Sequence, residues 1–156
     1  MKKIIFLVLA LVLTWSFCAQ ALETTLIDSR NEILKNSQEM KKYFSSSRDP
    51  ILLTSMWDSA IMAVSQLDAY FSMLGIFNTI KNEDLQEPAF TYLVKWLGEL
   101  AGTTELNIKS LESINTTTDA RSKVFVTKLK NTYNDLKTRI TREMQSVAQL
   151  QEALKR

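Results

Sequence analysis

Apolar residues recur at intervals of three and four along most of the chain, and this spacing predicts helices. The pattern is clearest in the C-terminal third, where heptads written from Val126 give two seams. One seam holds Val126, Tyr133, Ile140, Val147 and Leu154, and the other holds Leu129, Leu136, Glu143 and Leu150. Such spacing is typical of a helix that packs lengthwise on parallel or antiparallel neighbours.

Glu143 is the only charged residue in these two seams. A carboxylate at such a position has three interpretations: a perturbed carboxylate, the ion-pair partner of a lysine from a neighbouring helix, or a polar residue that sets the helix register. We favour a structural role for this side chain.

Turn and capping signals divide the rest of the chain into three more helices. The first carries Leu26, Ile33 and Met40 at a spacing of seven. The second begins at Asp49 and Pro50, since Asp suits a cap and proline loses no hydrogen bond at the first helical position.

The third helix follows a polar stretch and begins either at the capping-box pair Asp84 and Glu87 or nearer Pro88. Gly98 and Gly102 lie four residues apart within it. Glycine weakens a helix but also allows close approach of a neighbour. The pair therefore indicates either a bend or a close contact between helices.

The run Asn115–Asp119 supplies a break and a cap before the fourth helix, because its hydroxyl and carboxylate groups can accept hydrogen bonds from first-turn amides. Short connections favour antiparallel neighbours. The sequence therefore predicts an all-α fold: an antiparallel up-and-down four-helix bundle, in a single domain of residues 22–156 after a cleaved signal peptide.

The first 21 residues have the order of a secretory signal peptide. Lys2 and Lys3 form a basic start, Ile4–Leu13 is an unbroken apolar run, and Ala19 to Ala21 supplies the small residues of a cleavage site. The apolar run is shorter than the about 20 residues that span a membrane. We therefore predict removal of residues 1–21 and a periplasmic or secreted protein.

Removal of this segment changes the charge and the cysteine content. The full sequence has 19 Lys and Arg and 17 Asp and Glu, and because Lys2 and Lys3 leave with the signal peptide, the mature chain is formally neutral. A chain without net positive charge gives no electrostatic reason to bind nucleic acid, and no nucleic-acid partner is predicted. The single cysteine, Cys18, also leaves, so the mature protein has no disulfide and depends on its core.

The second helix is unusually apolar. Between Pro50 and Ile80 there is no Lys or Arg, and Asp58 and Asp68 are the only charges. The longest uncharged run, residues 69–80, has only 12 residues, which argues against a membrane span.

A core seam accounts for only part of this apolar content. The seam holds Leu53, Trp57, Ala60, Val64, Leu67, Phe71 and Leu74. The surplus is a wider core, a surface for a partner or a groove for a lipid-like ligand, and Met and aromatic residues suit both cores and adaptable contact surfaces. If a binding site exists, we predict a partner face formed by Met56, Tyr70 and Phe77, with Trp96 as a neighbour.

The residue types needed for common catalytic and cofactor sites are missing. The sequence has no histidine, and the mature chain has no cysteine, so triads, thiol nucleophiles and ordinary zinc or haem sites are excluded. Asp58 and Asp68 lie about 15 Å apart along one helix, too far for a glycosidase pair. No catalytic, cofactor-binding or metal-binding residue is predicted, and the chain is not expected to be an enzyme.

The remaining function is recognition. The leading hypothesis is an exported binding or adaptor protein that presents an apolar helix face to another exported or envelope protein. A second is an inhibitor or immunity protein that inserts loop residues, from Ser45–Asp49 or Asn115–Asp119, into a partner enzyme or toxin. A third is a membrane-active secreted effector that exposes its second helix to lipid.

Overall fold

A computed structural model describes residues 25–80, 83–114 and 119–154. The predicted signal peptide, residues 1–21, lies outside the described residues. Within the described ranges the chain is helical and contains no strand, which confirms the all-α prediction. Helix α1 covers residues 25–43 and is followed by a short 3-10 turn, Phe44–Ser46. The other helices are α2, Pro50–Phe77; α3, Glu83–Ser113; and α4, Ala120–Leu154.

The core is built from one apolar stripe on each helix, at the spacing that the sequence shows. Buried residues include Leu26, Ile33 and Met40 of α1, Leu53, Ala60 and Leu67 of α2, Phe90 and Leu97 of α3, and Leu129, Leu136 and Ile140 of α4. Full burial of one such large apolar side chain contributes about 1.5–3 kcal/mol. The heptad seams of the last helix are therefore confirmed as buried wherever their burial is described, except that Val126 is only partly buried and packs against the core.

The start of α2 is close to the expectation. Pro50 is the first helical residue, as predicted, and the carbonyl of Asp49 accepts the amide of Leu53 at 3.1 Å. The carboxylate of Asp49 makes no capping hydrogen bond to the first turn. Instead the hydroxyl of Ser47 accepts the amide of Asp49 at 2.9 Å, so the serine fixes the backbone at this corner.

Helix α3 is continuous, and its glycines make no close contact with a neighbouring helix. The helix includes Pro88 and runs unbroken through Gly98 and Gly102. A Cβ atom added at either glycine would meet nothing within 4 Å, and both positions are exposed. The expectation of a close helix contact is therefore wrong, since these glycines face open space, whereas a bend at this pair stays a prediction.

Side-chain contacts join the helices into one packed body, consistent with a four-helix bundle. They link α1 with α2 and α4, and α3 with α2 and α4. Representative pairs are Arg30–Asp68, Glu39–Lys128, Phe77–Phe90, Glu105–Lys137 and Glu112–Lys130. The ion pairs are largely exposed and screened by solvent, so they contribute little, and the apolar core supplies most of the stability.

Candidate interaction surfaces

Two residues of the predicted partner face lie inside the bundle. Met56 is 3% exposed and Tyr70 is fully buried. Their burial agrees with the interpretation that α2 has a wide core face. The neighbouring helices cover the side of α2 that carries Met56 and Tyr70 as well as the predicted seam. A partner would reach either side chain only after the helices separated.

The other two predicted residues are partly buried and pack against the core. Phe77 meets Phe90 of α3 edge to face, with ring centroids 4.5 Å apart. The indole nitrogen of Trp96 donates a hydrogen bond of 3.3 Å to the carbonyl of Gln66 on α2. Both aromatic rings therefore join α3 to α2, and the four predicted residues do not form one exposed surface. Contact of a partner with Phe77 or Trp96 stays a prediction.

Glu143 lies in the core beside one of these residues. Its side chain is 6% exposed, and its Oε1 accepts a hydrogen bond of 2.6 Å from the hydroxyl of Tyr70. A buried carboxylate is costly to leave without a donor, whereas a hydrogen bond to a charged group is among the stronger ones. The contact joins α2 to α4, as expected for a carboxylate with a structural role.

A second polar cluster lies at the end of the bundle where α1 turns into α2 and α4 begins. Asp119, only 9% exposed, lies just before α4. Its Oδ1 accepts the amide of Arg121 at 3.2 Å, and its Oδ2 accepts the hydroxyls of Ser122 at 2.8 Å, Tyr43 at 3.1 Å and Ser47 at 3.3 Å. One carboxylate thus caps a helix and ties it to the α1–α2 connection.

These contacts shift the ionisation of two groups. Burial disfavours the charged form of Asp119, but the hydrogen bonds from Ser122, Arg121, Tyr43 and Ser47 outweigh it and hold the pKa of its carboxyl below the ordinary 3.8. Burial raises the pKa of the Tyr43 hydroxyl, and its hydrogen bond to Asp119 raises that pKa further. The carboxylate therefore stays ionised and the phenol stays protonated across the neutral range.

The outer side of this cluster presents a cation stacked on an aromatic ring. The guanidinium of Arg121 lies 4.9 Å from the centre of the Tyr43 ring, and the ring lies 6.2 Å from that of Phe125. A shallow depression surrounds them; Glu39, Lys42, Val124 and Lys128 complete its lining. Val124 is 51% exposed. We name Tyr43, Arg121 and Val124 the junction patch.

Sequence reasoning singled out Ser45–Asp49 and Asn115–Asp119 as separate loop candidates. The contact between Ser47 and Asp119 brings the described parts of these two segments together; residues 115–118 lie outside the described residues. The junction patch itself was missed, since Tyr43 and Arg121 are far apart in sequence. The only local indication in the sequence was the pair of capping segments, Ser45–Asp49 and Asn115–Asp119, that lie near it.

The exposed apolar surplus of α2 lies elsewhere on the helix. Ile51 is 86% exposed, Met62 is 53% exposed and Ile76 is 65% exposed. At 100° per residue these three positions fall within about 40° of one another, so they form a single stripe on the outer side. We name this stripe the α2 outer face.

By length and composition, α2 is also the one helix in the described part of the chain that could cross a membrane. A buried core helix passes the same test, and α2 buries seven of its residues against the rest of the bundle. Among the described residues no group of three acidic, histidine or cysteine side chains is arranged as metal ligands.

Comparison with protein-family models, with curated proteins and with solved structures finds no match to this chain. Its function is therefore inferred from its own residues and their geometry.

Proposed function

We propose that this chain is an exported, non-enzymatic binding or adaptor protein that recognises another exported or envelope protein. The observation that carries the proposal is the junction patch, where an exposed arginine is stacked on a tyrosine that the bundle itself holds in place. Tyrosine and arginine are enriched among the residues that dominate binding energy at protein interfaces.

The patch is preorganised. Asp119 fixes the Tyr43 hydroxyl from below, and the ring in turn lies under the Arg121 guanidinium. A partner carboxylate or backbone carbonyl that meets this guanidinium does not have to order a mobile side chain first. Such preorganisation lowers the entropic cost of association.

Export and topology are parts of the same proposal. The order of basic residues, apolar run and small residues in 1–21 supports a cleaved signal peptide and a periplasmic or secreted location. An up-and-down antiparallel order of helices is supported by the contact pairs: along α3 and α4, Glu105 pairs with Lys137 and Glu112 pairs with Lys130, so that one number rises as the other falls.

The test is affinity capture with the purified protein from the envelope and secreted fractions of its own source. We expect a protein that is retained by the wild type and lost with Arg121→Glu. Arg142→Glu is the matched control, because it makes the same charge change at an exposed position of the same helix. Equal retention by the two variants, or no retained protein at all, would contradict the proposal.

The same end of the bundle supports the second candidate, an inhibitor or immunity protein. The Ser47–Asp119 contact places the α1–α2 connection beside the start of α4. Short polar side chains, such as those of Ser46 and Ser47, are therefore grouped at this end of the bundle. If the captured protein is an enzyme or toxin, its activity should fall on addition of the wild-type chain. Activity that is unchanged at saturating chain favours the adaptor function.

A further inference from the structure

The positive charges around the junction patch are only partly balanced by acids of the bundle. Three cations line the depression there: Lys42, Arg121 and Lys128. Glu39 is the acid in this lining, and it is already paired with Lys128, with Nζ and Oε2 3.2 Å apart. Among the described residues neither Lys42 nor Arg121 forms an ion pair, and both are exposed. The depression therefore keeps two positive charges without an ion-pair partner.

The carboxylate of Asp119 does not remove this surplus. It is only 9% exposed, and it accepts the backbone amide of Arg121 rather than its guanidinium. Arg48 adds a further exposed cation on the α1–α2 connection. Burial and the hydrogen bond to Asp119 raise the pKa of the Tyr43 hydroxyl, and the positive charges of Arg121 and Arg48 oppose this rise. Arg48 thus lies within electrostatic range of the same ring and offsets the charge of Asp119.

The surplus is a local feature of this end of the bundle. Further along α4 the lysines are compensated by acids of α3: Lys130 pairs with Glu112 at 2.9 Å, and Lys137 pairs with Glu105 at 3.1 Å. The chain without residues 1–21 is formally neutral, so an overall basic composition does not explain the cations at the junction. Their field favours an anionic group at this one place.

The same depression has an apolar part. Val124 is 51% exposed, and Phe125, which is 8% exposed, lies beneath the Tyr43 ring with the two ring centres 6.2 Å apart. An apolar side chain placed on Val124 would remove this surface from water. The depression therefore complements acidic side chains that stand next to an apolar one, a combination that a short protein segment can supply.

We propose that the junction patch binds a short acidic segment of its partner protein. One carboxylate of the segment binds the guanidinium of Arg121, a second carboxylate meets Lys42, and an apolar side chain covers Val124. A planar guanidinium can donate two parallel hydrogen bonds to one carboxylate, which favours this anion over a neutral carbonyl. The inference rests on the proposed function and gives the chemistry of the partner at that same site.

An anionic membrane surface is the competing occupant. Polybasic segments that bind anionic lipid carry clusters of about 4–8 Lys and Arg residues. At the junction only Lys42, Arg48 and Arg121 are grouped around Tyr43 outside the Glu39–Lys128 pair. The smaller cluster favours a protein segment, and lipid binding is an outcome of the test.

The first test asks which peptides the protein selects, and it does not require the natural partner. Random short peptides displayed on phage are bound to the protein expressed from the whole sequence, after removal of phage that bind Arg121→Glu. We expect the retained peptides to carry at least two Asp or Glu residues beside an apolar residue. Retained peptides without acidic enrichment, or none specific to the wild type, would overturn the proposal.

The second test measures the binding of one selected peptide, labelled with fluorescein, by fluorescence anisotropy. Replacement of its Asp and Glu by Asn and Gln should weaken binding at least about tenfold, and so should Arg121→Gln, because both remove a hydrogen bond between charged groups. Lys42→Gln should weaken binding about two- to fivefold, as expected for an exposed ion pair. A rise in salt from about 50 mM to about 500 mM should also weaken it, since salt screens exposed charges.

The matched control is Arg142→Gln, which removes the same charge from an exposed position of the same helix. It should leave the affinity within about twofold of the wild type. Equal losses in Arg121→Gln and Arg142→Gln, or equal binding of the acidic and amide peptides, would overturn the proposal. Circular dichroism of each variant establishes that the helices are intact.

Flotation with vesicles tests the lipid alternative. We expect the protein to stay in the soluble fraction with phosphatidylcholine vesicles and with vesicles that also contain phosphatidylglycerol. Flotation that requires phosphatidylglycerol and is lost in Arg121→Glu would overturn the proposal, because an anionic membrane would then be the occupant.

The peptide tests also separate this inference from the proposed function. Capture of an envelope protein that depends on Arg121, without selection of acidic peptides, would leave the proposed function in place and refute the acidic specificity. Selection of acidic peptides without capture of any envelope or secreted protein would support the acidic specificity and contradict the proposed function.

Discussion

The hydroxyl of Tyr70 on α2 donates a hydrogen bond of 2.6 Å to Oε1 of Glu143 on α4, and both side chains are buried. This is the one place where the apolar seam of α4 carries a charge-bearing group. Removal of the donor leaves a buried carboxylate oxygen without that partner. We expect Tyr70→Phe to lower the free energy of unfolding by about 1–3 kcal/mol, measured by urea denaturation.

Two further variants distinguish the loss of this hydrogen bond from a general effect of replacing tyrosine by phenylalanine. Tyr92→Phe makes the same change at a side chain that is 55% exposed and should leave stability within about 0.5 kcal/mol of the wild type. The double variant Tyr70→Phe/Glu143→Leu should recover much of the loss, because an apolar pair no longer buries an unmatched polar group. Additive losses in the double variant would contradict this explanation.

Asp119 should control the acid stability of the end of the bundle. Its pKa is lower in the folded chain than the ordinary 3.8, so folding favours its ionised form. The stability it contributes is therefore fully present above pH 3.8 and is lost as the pH falls through the lower pKa of the folded protein. We expect Asp119→Asn to lower the melting temperature at neutral pH and to reduce its dependence on pH below 3.8.

The control for this prediction is Asp135→Asn, which removes an exposed carboxylate from the same helix. It should leave the melting temperature at pH 7 nearly unchanged. A pH profile of Asp119→Asn that runs parallel to that of the wild type would show that another group is responsible.

The periodicity of the sequence was enough to predict the helices and most of their core positions. Leu129, Leu136 and Ile140 were placed in the core by spacing alone, and each is at most 1% exposed. This succeeds because a seven-residue apolar repeat leaves one stripe that has to be covered. Pro50 was likewise placed correctly at the start of α2, since proline is tolerated there for a local reason.

The candidate surfaces could not be predicted to the same extent. Apolar residues lie on most sides of α2, and only the positions of the neighbouring helices decide that Tyr70 is covered while Met62 is not. The junction patch depends on Tyr43 and Arg121, which are brought together only by the packing of α1 on α4. A pattern within one helix carries no information about such contacts.

Replacement of Gly98 or Gly102 by alanine should stabilise the folded protein. Each lies inside α3 at an exposed position, and an added Cβ would meet no atom within 4 Å. Glycine in a helix interior costs about 0.5–1 kcal/mol relative to alanine, through the greater freedom of the unfolded chain. We expect Gly98→Ala and Gly102→Ala each to raise the free energy of unfolding by about that amount. A loss of stability in either variant would indicate a close neighbour at that position.

The two sides of α2 should respond very differently to truncation of one side chain. Leu67 is fully buried, so Leu67→Ala removes packed apolar surface and leaves a cavity, at a cost of about 2–5 kcal/mol. Met62 is 53% exposed, and Met62→Ala should change stability by less than about 0.5 kcal/mol. Urea denaturation of the two variants measures both effects. A loss of more than about 1 kcal/mol in Met62→Ala would mean that Met62 packs within the bundle.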